Sequence, residues 1–154
     1  MSSWQALAVR VYGTPRPQGS LKLFRAKNGH EVAKYSDATY EWRRIVTAAV
    51  RDAVGELEPV AGALVLHARF DLPRPRGHSG TGRNAGALRA SAPCWPTSAP
   101  DLDKLLRLID DAITDAGVVW LDDAQVVEIR ARKVYVTTEP GCSIRIYHAE
   151  EAPR

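Results

Sequence analysis

Residues 100–136 read PDLDKLLRLIDDAITDAGVVWLDDAQVVEIRARKVYV, and the apolar period changes inside them. Leu102, Leu105, Leu106, Ile109, Ala112, Ile113 and Ala116 recur at three- and four-residue steps, which predicts an amphipathic helix over Asp101–Asp115. Gly117 supplies its C-terminal stop. After Val118-Val119-Trp120 and the pair Asp122-Asp123, the run from Gln125 to Val136 reads as a strand. A helix of about fifteen residues spans ~22 Å. A chain that turns at Gly117 and runs back along such a helix can return Asp122 to the helix N-terminus, beside Asp101 and Asp103.

Working outward, Ser143–His148 reads as a last strand, and Glu139-Pro140-Gly141 before it predicts a hairpin with 125–136. Towards the N-terminus, Val60–Leu72 is a β-rich run with Leu64, Leu66, Ala68 and Phe70 on one face and Val65, His67 and Arg69 on the other. His67 has no histidine or carboxylate at ligand spacing and reads as an ordinary strand residue. Tyr40, Trp42, Ile45, Val46, Ala49, Val50 and Ala53 mark a second helix from Asp37 to Gly55, capped by Ser36 or Asp37, with Trp42 in the core. Asn28-Gly29 between LKLFRAK and HEVAKY predicts a hairpin, whose Lys22 and Arg25 are candidates to lie along a phosphate backbone or simply to face water. Gln5–Tyr12 reads as a first strand that ends at Gly13, Pro15 and Pro17. The expected fold class is α+β, a mixed β-sheet packed against two main helices, in one domain over residues 1–154.

Pro73–Pro100 departs from this regularity. It holds five of the ten prolines, with GHSGTGRNAG at its centre, and reads as a long flexible loop. No strand-turn-helix surrounds its Gly-x-Gly piece, so a nucleotide-binding fingerprint is not indicated. The loop carries Arg74, Arg76, Arg83 and Arg89 and no acid, whereas 101–128 carries eight acids against Lys104 and Arg107. An acidic island therefore sits in a basic frame. The frame suits a polyanion, since Lys and Arg displace counterions condensed on nucleic acid. The island would repel that polyanion unless divalent cations intervene, as they do in a hard-metal nuclease site; the bland alternative is a solvated acidic helix.

No apolar run approaches the ~20 residues that span a bilayer, and Trp4-Gln5 opens no signal-peptide pattern, so a cytoplasmic protein is expected. Cys94 and Cys142 belong to no Cys/His cluster and read as reduced thiols.

Asp101 and Asp103 at a helix start offset the macrodipole, a structural role that explains one acid better than two. The second pair, Asp122-Asp123, lies 21 positions beyond Asp101 and is less easily explained that way. Carboxylates so gathered suit Mg2+, which takes a few carboxylates, waters and the substrate's phosphate oxygens. Arg107 is four residues from both Asp103 and Asp111, and a cation there can neutralise a scissile phosphate or form an intrahelical ion pair.

The segment 100–133 resembles the signature of the RusA family of Holliday junction resolvases: Pro-Asp-x-Asp-Asn, a Lys three residues on, Asp-Ala in mid-helix, a Gly-Val turn, and Asp-Asp-x-Gln-Val. Gly13–Ser20 is similar to the family's opening turn, and the GHSGTGRNAG loop resembles phage-type members. The resemblance implies a homodimeric α+β nuclease of a bacterial or phage-infected cell that cuts four-way or other branched DNA with Mg2+, or Mn2+ in its place. It places the essential carboxylates on Asp101, Asp103 and Asp122 and the active-site lysine on Arg107; Asp123, next to Asp122, is a further candidate metal ligand. Lys133 matches a recurrent lysine and is a candidate phosphate contact, as is Lys104. Two departures stand out: Lys104 replaces the usual Asn, and Arg107 replaces a lysine and cannot donate a proton. Two other readings stay open, a branched-DNA-binding protein with weakened catalysis and a metal-dependent RNase or flap nuclease.

Overall fold

The computed structural model describes residues 6–154, so Gln5, the expected start of the first strand, lies outside the described residues. The elements in order are β1 (Ala6–Tyr12), β2 (Lys22–Arg25), β3 (Glu31–Lys34), α1 (Asp37–Val54), β4 (Leu64–Pro73), α2 (Leu102–Ala116), β5 (Val126–Val136) and β6 (Gly141–His148), with short 3-10 turns between. The α+β class is as the sequence predicts. No described helix is long and apolar enough to cross a membrane.

The main sheet has the order β1-β6-β4-β5. β6 pairs antiparallel with both β1 and β4, while β5 pairs parallel with the far side of β4. This overturns the expected hairpin of the last two strands, which share a neighbour instead of a ladder. The cause is β4 itself: all but His67, Arg69 and Pro73 of its residues are buried, so it needs a partner on each edge. The short link between Val136 and Gly141 reaches across it, because crossing one strand takes only about 10 Å and each extended residue covers about 3.3 Å.

Strand alternation turns Leu7, Val9, Val11, Leu64, Leu66, Ala68, Phe70, Ile144 and Ile146 towards the helices, where they form one buried cluster with Trp42, Val46, Val50, Leu105, Ile109 and Ile113. The expected helix stripes need two corrections. Leu108 is fully buried although the stripe omits it, because α2 is covered on more than one side; Tyr40, Ile45 and Ala53 of α1 are exposed, while Thr39 and Val54 are buried. Val65, expected on the outward face, is buried as well.

Ser36 caps α1 through the amide of Thr39, and Gly117 ends α2 in the left-handed region at φ 68°, where a side chain would strain the backbone. The two helices meet through a polar seam: Arg51 donates to the carbonyls of Asp115 and Ala116, and Arg43 binds Asp115 at 2.5 Å and Asp111 at 3.6 Å. The β2–β3 hairpin turns at Gly29, φ 84°, as the Asn-Gly pair predicts. Residues 73–100 fold back on themselves, with Gly80 donating to the Ala87 carbonyl, Arg89 to that of His78, and a bridge between Ser79 and Leu88. Cys94 is exposed and free, while burial pushes the thiol of the free Cys142 up to about 12.

Candidate active site

The N-terminus of α2 is held from three sides. The chain enters through a cis Ala99–Pro100 bond. Lys133, on the helix-facing side of β5, donates to the carbonyls of Ser98 at 2.8 Å and Pro100 at 2.7 Å. From the other side, the Gln18 amide donates to the Lys104 carbonyl at 2.9 Å, and the Gln18 side chain, 1 % exposed, donates to the Asp111 carboxylate and accepts from Arg43. The opening turn is therefore bolted to the first turns of α2. Gly13 allows that turn its φ of 131° while the indole of Trp42 packs against it, at a distance that leaves no room for a side chain.

Asp101 occupies the N-cap position, but its carboxylate caps no amide; it takes the Lys104 ammonium at 2.6 Å. That hydrogen bond and charge, with a further contribution from Lys133, hold the carboxyl below the usual carboxylate range, and Asp101 in turn raises Lys104. Asp103 and Arg107 are exposed, with no hydrogen bond or ion pair recorded for either among the described residues. Arg107 thus makes no intrahelical ion pair with Asp103 or Asp111 among the described residues, Asp111 being bound by Gln18 and Arg43 instead.

The second acidic pair stands elsewhere. Asp122 caps a 3-10 turn by accepting from the Ala124 amide, while Gln125 accepts from the amides of Leu121 and Asp122 and donates to the carbonyls of Val60 and Gly62. Gln125 thus ties the Asp-Asp loop to the segment before β4. Asp123 lies near Asp110 of α2, whose carboxyl is pushed up to about 6 by burial first and then by the charges of Asp123 and Asp111.

The chain does run back along α2 after Gly117, but the residue it delivers to the helix N-terminus is Lys133. Asp122 precedes the strand that carries Lys133, and the eight-residue run from Val126 to Lys133 covers roughly 23 Å. Among the described residues no three His, Cys, Asp or Glu side chains gather to hold a metal ion. Asp101, Asp103 and Asp122 therefore form no such three-carboxylate group among the described residues.

The remaining candidates are scattered over the surface. Lys22 and Arg25 are exposed on the hairpin, and Arg76 and Arg83 on the folded loop. Arg74 lies over the Tyr135 ring at 4.6 Å and donates to the Pro93 carbonyl, while Arg89 donates to that of Ser79. The sequence assigned no role to Gln18 or Gln125, polar residues in turn segments without periodicity, although both lie in the motifs of the resemblance. The Asp101–Lys104 pair was readable from its three-residue spacing.

With the geometry in hand, the comparison with known families is decisive. The family model described as endodeoxyribonuclease RusA matches residues 12–147, nearly the whole chain. The chain belongs to the RusA family. No curated protein matches it closely enough to add a narrower likeness.

Within the RusA frame, the Pro-Asp-x-Asp motif is the N-terminus of α2, and Asp-Asp-x-Gln-Val is the loop that Gln125 anchors. Lys133 has a visible structural task, holding Ser98 and Pro100 and hence the entry to Asp101. Replacing Lys133 by Met keeps the aliphatic stem and removes both bonds. The expected result, if the entry to Asp101 matters for the chemistry, is a folded protein with cleavage reduced about 10- to 100-fold and with junction affinity reduced much less. Equal losses in binding and cleavage would assign Lys133 to the DNA instead.

Proposed function

We propose that the protein is a divalent-metal-dependent, structure-selective endodeoxyribonuclease that cuts Holliday junctions or other branched DNA during recombination or replication. The observation that carries this reading is Asp103: an exposed carboxylate with no hydrogen bond or ion pair among the described residues, two residues from Asp101, on a helix start fastened by Lys133 and Gln18. A side chain left unpaired on so constrained a backbone is available to a ligand.

Asp101 and Asp103 provide hard oxygen donors of the kind Mg2+ or Mn2+ takes alongside water and phosphate oxygens, so the donor chemistry fits, with Asp122 and Asp123 as further candidates. Bound there, the ion would supply Lewis acidity towards the phosphodiester and a more acidic water. The protein's own groups do the rest. Asp101 would hold the ion with the carboxylate that now takes Lys104, and the Lys104 ammonium would then be free for a phosphate oxygen. Arg107, one turn further along α2, is placed to neutralise charge on the scissile phosphate and, as an arginine, does so without transferring a proton. Lys133 keeps the entry to the helix in place.

The separation of Asp122 from Asp101 supports a homodimer with composite sites. β5 is an edge strand, and beside it Leu121, Val127 and Ile129 are exposed by 73 %, 62 % and 46 %. An open edge with apolar side chains invites pairing. Antiparallel pairing of β5 across a two-fold axis would run the start of one strand past the end of the other, which brings the partner's Asp122 towards Asp101 and Asp103. Mixing the Asp103→Asn and Asp122→Asn variants, each inactive alone, tests this arrangement. Composite sites leave one intact site per mixed dimer and recover about a quarter of the wild-type nicking under random exchange. Sites complete within one chain would recover none.

A catalytically weakened junction binder is the second reading, and the Asp101–Lys104 ion pair favours it, since a lysine stands where the family has an uncharged Asn. Incubation with a four-way junction and Mn2+ separates the two: an enzyme yields paired nicks, whereas a binder yields a shifted complex and intact strands.

A further inference from the structure

The face of the main sheet turned away from α1 and α2 carries a separate cationic surface. The alternation that points Lys133 at the helix entry points Arg130 and Arg132 the other way. In register, Arg132 of β5 lies beside Arg69 of β4, which lies beside Ser143 of β6; one row over, Arg130 lies beside His67 and His67 beside Arg145. These six residues line a cavity of ≈ 500 Å3 that opens on solvent.

Like charges on adjacent strands destabilise a sheet, so Arg69 next to Arg132 breaks a local rule without helping the fold. Acids answer only part of the charge. Asp71 takes Arg10 at 2.8 Å and Arg69 at 2.7 Å, and Glu128 takes Arg130 at 2.7 Å. Arg132 and Arg145 are exposed and have no hydrogen bond or ion pair recorded among the described residues. His67 has an Nε2 that is buried and unbonded. Its pKa is lowered by burial first and then by Arg130 and Arg145, with Glu128 opposing, so the cavity already carries a net positive field.

We propose that this arginine-lined cavity is a second DNA-binding surface, which grips the phosphate backbone of a duplex arm on the side of the sheet opposite Asp101 and Asp103. The inference rests on the nuclease reading for its choice of polyanion, and on the two arginine rows for its geometry. Residues two apart on one strand face are about 6.6 Å apart, so Arg130 and Arg132 present two cations in line along β5 to a repeating anion. The lining is arginine-rich, and its repeated cations favour contacts to the phosphate backbone, which need no sequence readout. A branched substrate has several arms, and a surface behind the sheet can hold one while another lies at α2.

The test is the salt dependence of binding to a four-way junction with long arms, measured in EDTA so that cleavage plays no part, for wild type and the Arg132→Ala/Arg145→Ala double variant. The expected result is affinity lowered about tenfold or more and a slope of log K against log salt shallower by about 2, with thermal unfolding unchanged. Nicking at saturating protein should remain at the wild-type rate. Unchanged affinity and slope in a folded variant overturn the proposal, and that is also the outcome if the surface serves an acidic protein. Should the double variant not fold, Arg145→Gln alone must show about half the slope change, and no change there likewise overturns it. Wild-type protein that binds no junction would remove the nuclease reading itself, and this surface with it.

Discussion

Replacing Asp103 with Asn is expected to abolish cleavage of a four-way junction, by about 100-fold or more, while junction binding stays intact or tightens. Loss of an outer support to a metal ligand already lowers activity 10- to 100-fold, and loss of the ligand itself should exceed that. Binding should survive because Asp103 is exposed and makes no recorded bond that the fold would miss, and because removing a negative charge beside a phosphate lowers repulsion. The measurement is a gel-based nicking assay run beside a mobility shift on the same preparation. Wild-type cleavage by the variant would sink the catalytic assignment of α2. Coupled loss of binding and cleavage would mean that Asp103 supports the structure after all.

The largest stability effect is expected at Phe70. It is fully buried in β4, with Lys133 on one side of its ladder and Cys142 on the other. Truncation to Ala removes most of a large side chain from the middle of the central strand, and should destabilise the protein by about 3–5 kcal/mol, read as a lower urea midpoint at unchanged slope. A marginal domain can lose most of its stability that way. A change below about 1 kcal/mol would show that the core beneath β4 collapses to fill the space.

How much was legible in the sequence follows from the range of the interactions involved. Both helices, their caps at Ser36 and Gly117, and the Asn-Gly hairpin rest on contacts within a few residues, and local pattern encodes those directly. The pairing of β5 and β6 does not rest on such contacts. Two strands separated by Glu139-Pro140-Gly141 look like a hairpin, and only the burial demand of β4 on both its edges, a property of the assembled sheet, inserts a third strand between them. Leu108 was missed for a related reason, since a stripe drawn for one packing surface omits residues that meet a second. The acidic motifs were readable as residues and as a family signature. Their arrangement in space was not: the return path after Gly117 has the expected direction, but the strand is long enough to carry Lys133, and not Asp122, to the start of α2. The arginine rows were invisible as well, because Arg69, Arg130, Arg132 and Arg145 lie in three segments whose register only the sheet defines.

The placement of β6 between β1 and β4 also governs how the molecule comes to be. Until residues 141–148 have emerged, the first and fourth strands lack the ladder that joins them in the finished sheet. Closure of the sheet therefore waits for the insertion of residues 141–148 as a keystone, and the open edges before that step are of the kind that chaperones cover.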